Sequence, residues 1–356
     1  MAEPLPRSRY DLDRAELADL LADQPRYRVA QVWDGLYARG LEPSAMTDLP
    51  RALRSRLDEV APPALTAATE RRTDDGDTVK TLWALHDGAL IESFLMHYRD
   101  RTTVCVSTQA GCAMACGFCA TGQAGFRRQL SAGEIVEQVV RARREAAATG
   151  RRLSNVVFMG MGEPLANYDR LWVAIRRLHD DVGLSARHLT VSTVGIVSGI
   201  RRMAAEPEPV NLAVSLHAAD DELRDRLVPI NRRHPLGELV DACREYLTAK
   251  NRRLSFEWAL IDGVNDRDLD AERLAALVRP LRAHVNLIPL NPTPGYPTVG
   301  TPPARVAAFR ARLETLGVNA TVRRNRGNDI DAACGQLAAR PTAVGFGPTR
   351  TATRAD

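Results

Sequence analysis

Three cysteines stand close together in the segment GCAMACGFCATG: Cys112, Cys116 and Cys119, spaced C-x3-C-x2-C among glycines. Three thiolates from one loop can ligate three irons of a cubane [4Fe–4S] cluster and leave the fourth iron open to a small molecule. A catalytic cluster needs that vacancy. The competing reading is a structural zinc site, which takes four ligands, usually as two C-x2-4-C pairs, and the sequence has no second pair. The loop follows a β-rich run at 102–108, the position where α/β enzymes keep their sites, and this favours the cluster. Further along lie Gly162-Glu163-Pro164 in FMGMGEP, Ser192 in TVSTVG, Ser215, Leu216 and His217 in VSLHA, and Asn291 in LIPLNPTPG. Taken singly, these read as an ordinary turn, a capping hydroxyl, a satisfied histidine and a turn asparagine.

The elements that must position these residues alternate regularly. β-rich runs at 102–108, 155–159, 188–192, 211–216, 253–260 and 285–289 are separated by helical patterns, which makes six βα units. Six are too few to close a standard eight-stranded barrel, so we predict an open, partial α/β barrel over 102–325. Ser131 and Glu134, in the S-x-x-E relation of a capping box, set the start of its first helix. Each polar feature named above falls where a strand ends and a loop begins, so all of them share one rim.

Upstream, amphipathic patterns at 13–21, 26–39 and 50–60 predict a helical accessory module over 1–63, closed by Pro62-Pro63. Its second helix carries Val29, Val32, Trp33 and Leu36 as one apolar stripe. Residues 79–85 and 90–96, around Asp87-Gly88, predict a β-hairpin within a linking segment, 64–101. Residues 326–356 form a C-terminal segment.

Hydrophobic residues make up 45% and charged residues 26% of the 356, the balance of an ordinary folded protein rather than a disordered one. No run of about 18 apolar residues is present and the first residues lack an apolar targeting stretch, so we expect a soluble cytoplasmic protein with no membrane association. Six cysteines, three of them within 112–119, do not resemble a secreted disulfide framework. The net charge is +4, and Lys80 and Lys250 are the only lysines; arginine doublets such as Arg127-Arg128 and Arg323-Arg324 suit phosphate oxygens, or decorate solvated helix faces.

The cysteine loop, with Phe118 before its last cysteine, together with Gly162-Glu163-Pro164, resembles the radical S-adenosylmethionine (SAM) enzymes. That resemblance implies that SAM chelates the open iron, that Gly162 and Glu163 hold its amino group, and that Ser192, Ser215, Leu216, His217 and Asn291 bind the rest. RGNDIDAACGQLA around Cys334 and VCVSTQAGC around Cys105 resemble the RlmN/Cfr family of rRNA adenine methyltransferases along essentially the whole chain. The family implies that Cys334 is methylated by one SAM, that a second SAM yields the radical that activates this methyl group, and that the protein becomes linked to RNA. It further implies that Cys105 resolves the adduct through a transient disulfide and that Glu92, in LIESFLMHY, is a proton acceptor; the sequence does not rank Glu92 against Cys105 as base. The implied partners are 23S rRNA, tRNA and an electron donor such as flavodoxin or ferredoxin, acting on a monomer.

Chemistry at a purine ring carbon requires an unstacked base. We expect Arg127, Arg128, Arg323, Arg324 and Arg326 to contact phosphates. Methylation at C8 instead of C2, and a non-catalytic RNA-binding module folded around a metal, are the alternatives.

Overall fold

The computed structural model describes residues 7–73, 76–293, 295–297 and 299–323. Cys334, Arg324, Arg326 and the segment 326–356 lie outside the described residues. The chain opens with three helices, α1 (Arg14–Leu20), α2 (Tyr27–Leu36) and α3 (Arg51–Val60). Asp13 caps α1 in a reciprocal box with Glu16. The apolar stripe of α2 buries Val32, Trp33 and Leu36, and α3 buries Leu53 and Leu57, all in one core with the barrel.

Three antiparallel strands follow, β1 (Leu65–Arg72), β2 (Thr78–Leu85) and β3 (Leu90–His97). Asp87 and Gly88, the latter at φ 73°, form the β2–β3 turn as their sequence predicts. The predicted hairpin is therefore the inner part of a three-stranded unit. β3 pairs with β4 (Thr102–Cys105), Phe94 opposite Cys105, and so joins the barrel sheet directly. The cysteine loop is carried between β5 (Gln109–Gly111) and β6 (Phe126–Gln129), a short antiparallel ribbon that also holds α4 (Ala120–Ala124).

The six βα units then run in order. They are β4 with α5 (Ala132–Ala148), β7 (Leu153–Phe158) with α6 (Tyr168–Arg176), and β8 (Leu189–Thr193) with α7 (Val197–Ala205). Next come β9 (Asn211–Ser215) with α8 (Asp221–Leu227) and α9 (Leu236–Lys250), β10 (Leu254–Leu260) with α10 (Asp268–Val278), and β11 (His284–Pro289) with α11 (Pro303–Thr315). A short seventh parallel strand, β12 (Ala320–Val322), ends the sheet beside β11. The ten strands lie in the order β1-β2-β3-β4-β7-β8-β9-β10-β11-β12, an open sheet of the partial-barrel type.

Side chains alternate between the two faces of the parallel sheet. Val156 and Phe158, Val191, Leu212 and Val214, and Phe256 and Trp258 are fully buried beneath the helices. The intervening residues, among them Asn155, Val157, Thr190, Ser192 and Asn286, are half-buried on the concave face. A closed α/β barrel fills its interior with apolar side chains; this one keeps a partly wet, polar lumen.

The helical module is sewn to the barrel. The Asp11 carboxylate accepts from the Gly133 N–H (2.7 Å) and the Ser131 hydroxyl (3.0 Å) at the start of α5, whose predicted Ser131–Glu134 capping box is present. The Trp33 indole donates to Asp181 (2.8 Å), and Arg143 of α5 donates to the carbonyls of Tyr37, Ala38 and Val182.

Candidate active site

Strand register brings the predicted residues to one cleft at the C-terminal ends of the parallel strands. Val157 pairs with Thr190, Ser192 with Ala213, and Ser215 with Glu257, so Met159, Ser192, Ser215 and Glu257 share the concave face. All four line the cleft, together with Cys112, Cys116, Cys119, Gly162, Glu163, His217 and Asn291. Leu216 is the exception: its side chain is buried in the core, its N–H donates to Glu257 O and its carbonyl accepts from Ala218 N–H and Arg224.

The cysteine loop is fixed at both ends. The Cys112 N–H donates to Gly125 O (2.9 Å) and the Cys119 N–H to Cys116 O (3.1 Å), while Ala115 turns the chain at φ 54°. Burial pushes the Cys112 thiol up to about 12 and the Cys116 thiol higher still, so thiolates here require a nearby cationic centre. Among the described residues, no three His, Cys, Asp or Glu side chains gather tightly enough for a single metal ion. A cubane needs no such convergence, because each thiolate binds a different iron. Three soft donors on one loop, facing a common cleft, fit an iron–sulfur cluster.

Gly162 precedes the acid at φ 102°, and a Cβ there would lie 2.5 Å from the Cβ of Gln109; only glycine fits. The Gln109 side chain in turn accepts from the Glu163 N–H (2.7 Å). Glu163 caps the 3-10 turn Pro164–Asn167, taking a hydrogen bond from Leu165 N–H (3.1 Å), and accepts another from Val194 N–H (2.9 Å). It is 2% exposed and has no cationic partner among the described residues. Burial pushes it up to about 7. A ligand ammonium would restore its charge.

His217 sits at φ 62° with Nδ1 accepting from the Ala259 N–H (2.9 Å), which leaves the ring proton on Nε2. Burial, aided by Arg224, pushes it down to about 3, so it remains a neutral donor. Asn265 holds its carbonyl at 2.8 Å, and Phe118 meets its ring edge-on, centroids 4.8 Å apart. The Ser192 hydroxyl donates to Phe158 O (2.7 Å) and retains its lone pairs for a ligand.

Cys105 and Glu92 share the same concave face. Cys105 lies opposite Phe94 and beside Val157, and Glu92 is two residues along β3 from Phe94, a diagonal neighbour of Cys105. Both are buried, and Lys80 on β2 sits 3.0 Å from the Glu92 carboxylate. Cys112, Cys116, Cys119 and Cys243 are free thiols; Cys243 is fully buried under the helices. Of the arginines expected at phosphates, Arg323 lines the cleft 3.8 Å from Glu257, and Arg127 is exposed. Arg128 differs from expectation: it is locked between Asp87 (2.7 Å) and Glu134 (2.8 Å), the charge balance its burial demands.

Sequence reasoning missed Arg224. It is fully buried on α8 without a direct carboxylate partner among the described residues, and donates to Val194 O (2.6 Å), Ser215 O (3.2 Å), Leu216 O (3.1 Å) and Asn231 Oδ1 (2.7 Å). It thereby gathers the loops after β8 and β9 that carry Glu163's partner and His217. In DELRDRL it looks like one more solvated helix charge, and no local pattern distinguishes it. Glu257, held by Ser255 and Asn286, was also missed, because a lone acid in a strand carries no motif.

Comparison with known proteins agrees with this geometry. Residues 106–275 match the model of the radical SAM superfamily, and the chain is a radical SAM enzyme. It resembles a solved radical SAM methyltransferase from Sphaerobacter thermophilus at a TM-score of 0.91 and 52% identity, over 94% of this chain and 100% of that one. Proteins from Salinispora tropica (52% identical over 347 residues) and Chloroflexus aurantiacus (51% over 350), each named a probable dual-specificity RNA methyltransferase RlmN, align with 94% of this chain and 93% of their own lengths. The chain belongs to the RlmN family of SAM-dependent RNA methyltransferases.

Proposed function

We propose that the chain methylates C2 of an adenosine in 23S rRNA at the peptidyl transferase centre and of an adenosine next to the anticodon in tRNA. The supporting observation is the gathering of three loop cysteines, Glu163, His217 and Asn291 around one cleft, with Cys105 and Glu92 on the same sheet face. C2 lies between two ring nitrogens and is electron-poor, so it does not attack a sulfonium methyl group and a radical route is needed. When bound, a [4Fe–4S] cluster with SAM on its open iron supplies one-electron cleavage to that radical. Cys112, Cys116 and Cys119 would hold the cluster, and Glu163 with the Gly162 backbone would receive the SAM ammonium. Ser192, Ser215, the Leu216 backbone, His217 and Asn291 would bind the remainder. Cys334 takes up the methyl group and presents it to the ring.

The ring hydrogen leaves as a proton to Glu92 or Cys105, which lie together, with Lys80 supplying counter-charge to Glu92. Once the adduct's unpaired electron has returned to the cluster, the Cys105 thiolate would attack the Cys334 sulfur, forming a transient disulfide as the S–C bond to the adduct breaks. The released carbon takes a proton to become the ring methyl group, and a reducing cytoplasm resets the disulfide. Flavodoxin or ferredoxin supplies electrons to the monomer.

The test is to incubate cluster-loaded protein with dithionite, methyl-labelled SAM and RNA, and to digest both polymers. Label on Cys334 and in 2-methyladenosine is expected. Label in 8-methyladenosine would transfer the reading to C8, and protein that binds zinc and leaves SAM intact would replace the enzyme by a metal-folded RNA-binding module.

A further inference from the structure

Phe126 opens β6 directly after the cysteine loop, and its side chain is 45% exposed. Single exposed apolar side chains are common and need no explanation, but the surroundings of this one are unusual. Its backbone is pinned: Phe126 pairs with Gly111 across the β5–β6 ribbon, and the preceding Gly125 carbonyl accepts from the Cys112 N–H at 2.9 Å. A Cβ on Gly111 would come within 1.9 Å of that carbonyl, so the ribbon is closed as tightly as backbone allows. The ring therefore stands one residue from the strap that holds the first cluster cysteine. Beside it, Arg127 is exposed and makes no ion pair among the described residues, whereas Arg128 is neutralised by Asp87 and Glu134.

An enzyme that draws an adenosine out of its stack strips the neighbouring nucleotide of a stacking partner. Exposed aromatic rings replace such partners, and any base has the face to accept one.

We propose that Phe126 is the stacking platform for the nucleotide adjacent to the acceptor adenosine, and that Arg127 neutralises a phosphate of the same RNA strand. This rests on the reading of the chain as an RNA methyltransferase and adds a seat outside the SAM cleft. Successive strand residues face opposite ways, so the ribbon offers a ring for a base on one face and a cation for the backbone at its edge.

The test uses the full-length protein and an RNA stem-loop with the acceptor adenosine in its loop. 2-Aminopurine, a fluorescent purine quenched by stacking, occupies the neighbouring position. The bound probe should stay quenched on the unaltered protein. With Phe126→Ala it should brighten, and its Kd should rise roughly tenfold, the usual size of one lost base–aromatic stack. Phe126→Trp should restore both quenching and affinity, whereas Phe126→Leu should restore neither. Arg127→Gln should leave the fluorescence alone and reduce the salt slope of binding by about one. Unchanged quenching and affinity in Phe126→Ala, with an unchanged melting temperature as folding control, would overturn the platform while leaving the RNA reading intact. An unaltered protein that leaves the stem-loop unbound and unmethylated would defeat the RNA reading, and the platform with it.

Discussion

Replacing Glu163 by glutamine separates the stability of the cleft from its affinity for SAM. The carboxylate is 2% exposed, accepts from the Leu165 and Val194 N–H groups and from the Thr193 side chain, and is pushed by burial from its ordinary 4.5 to about 7. A carboxylic acid whose folded value is raised holds its proton more tightly folded than unfolded. Its contribution to stability therefore worsens as pH rises from about 4.5 to about 7, and stays unfavourable above that. At about 1.4 kcal/mol per tenfold difference in proton affinity, the unaltered protein should lose about 2.5 kcal/mol between pH 5 and pH 8 that Glu163→Gln does not. The amide must turn its NH2 toward one of the two N–H donors, a mismatch of about 1–3 kcal/mol, but that penalty does not change with pH and cancels in the comparison. Urea unfolding of cluster-free protein, without SAM, across this range reads the difference directly. Parallel pH curves for the two proteins would refute the reasoning. In cluster-loaded protein the same substitution removes the anion that meets the SAM ammonium, and the SAM Kd should rise by about tenfold or more.

Arg224→Met should cost about 3 kcal/mol in urea unfolding, since it strands buried acceptors on Val194, Ser215 and Asn231, and should weaken SAM binding by calorimetry although Arg224 does not line the cleft. Gly162→Ala forces a side chain at φ 102° against Gln109 and should destabilise by about 2–4 kcal/mol, with loss of SAM binding as Glu163 is displaced. Cys105→Ala should accumulate an RNA–protein species that survives a denaturing gel; its absence would remove the resolving role from Cys105.

Much of the site was legible because its chemistry is local. The spacing of Cys112, Cys116 and Cys119, the GEP segment and the VSLHA segment at the end of β9 are each short and contiguous, and the βα alternation sets them on a common rim. Ser131 and Glu134 likewise cap α5 through contacts three residues apart. What escaped depends on distant partners. β1 reads LTAATERR, and only Leu65 is fully buried, so nothing but its ladder with β2 marks it as a strand. β12 is three residues long and exists because β11 is there to receive it. Arg128 looked available for phosphate until the fold brought Asp87, 41 residues earlier, against it. Arg224 reads as a surface charge until the loops after β8 and β9 close over it.

The stitch between Asp11 and the start of α5 bears on how such genes can be shuffled. The first helices and the barrel exchange hydrogen bonds through Asp11, Trp33 and Arg143, so neither half presents a finished surface to a foreign partner. Recombination near Pro62-Pro63 that imports one half from a diverged relative should yield poorly folded chimaeras unless the matching side of the seam travels with it. The two parts are expected to descend as a single heritable block.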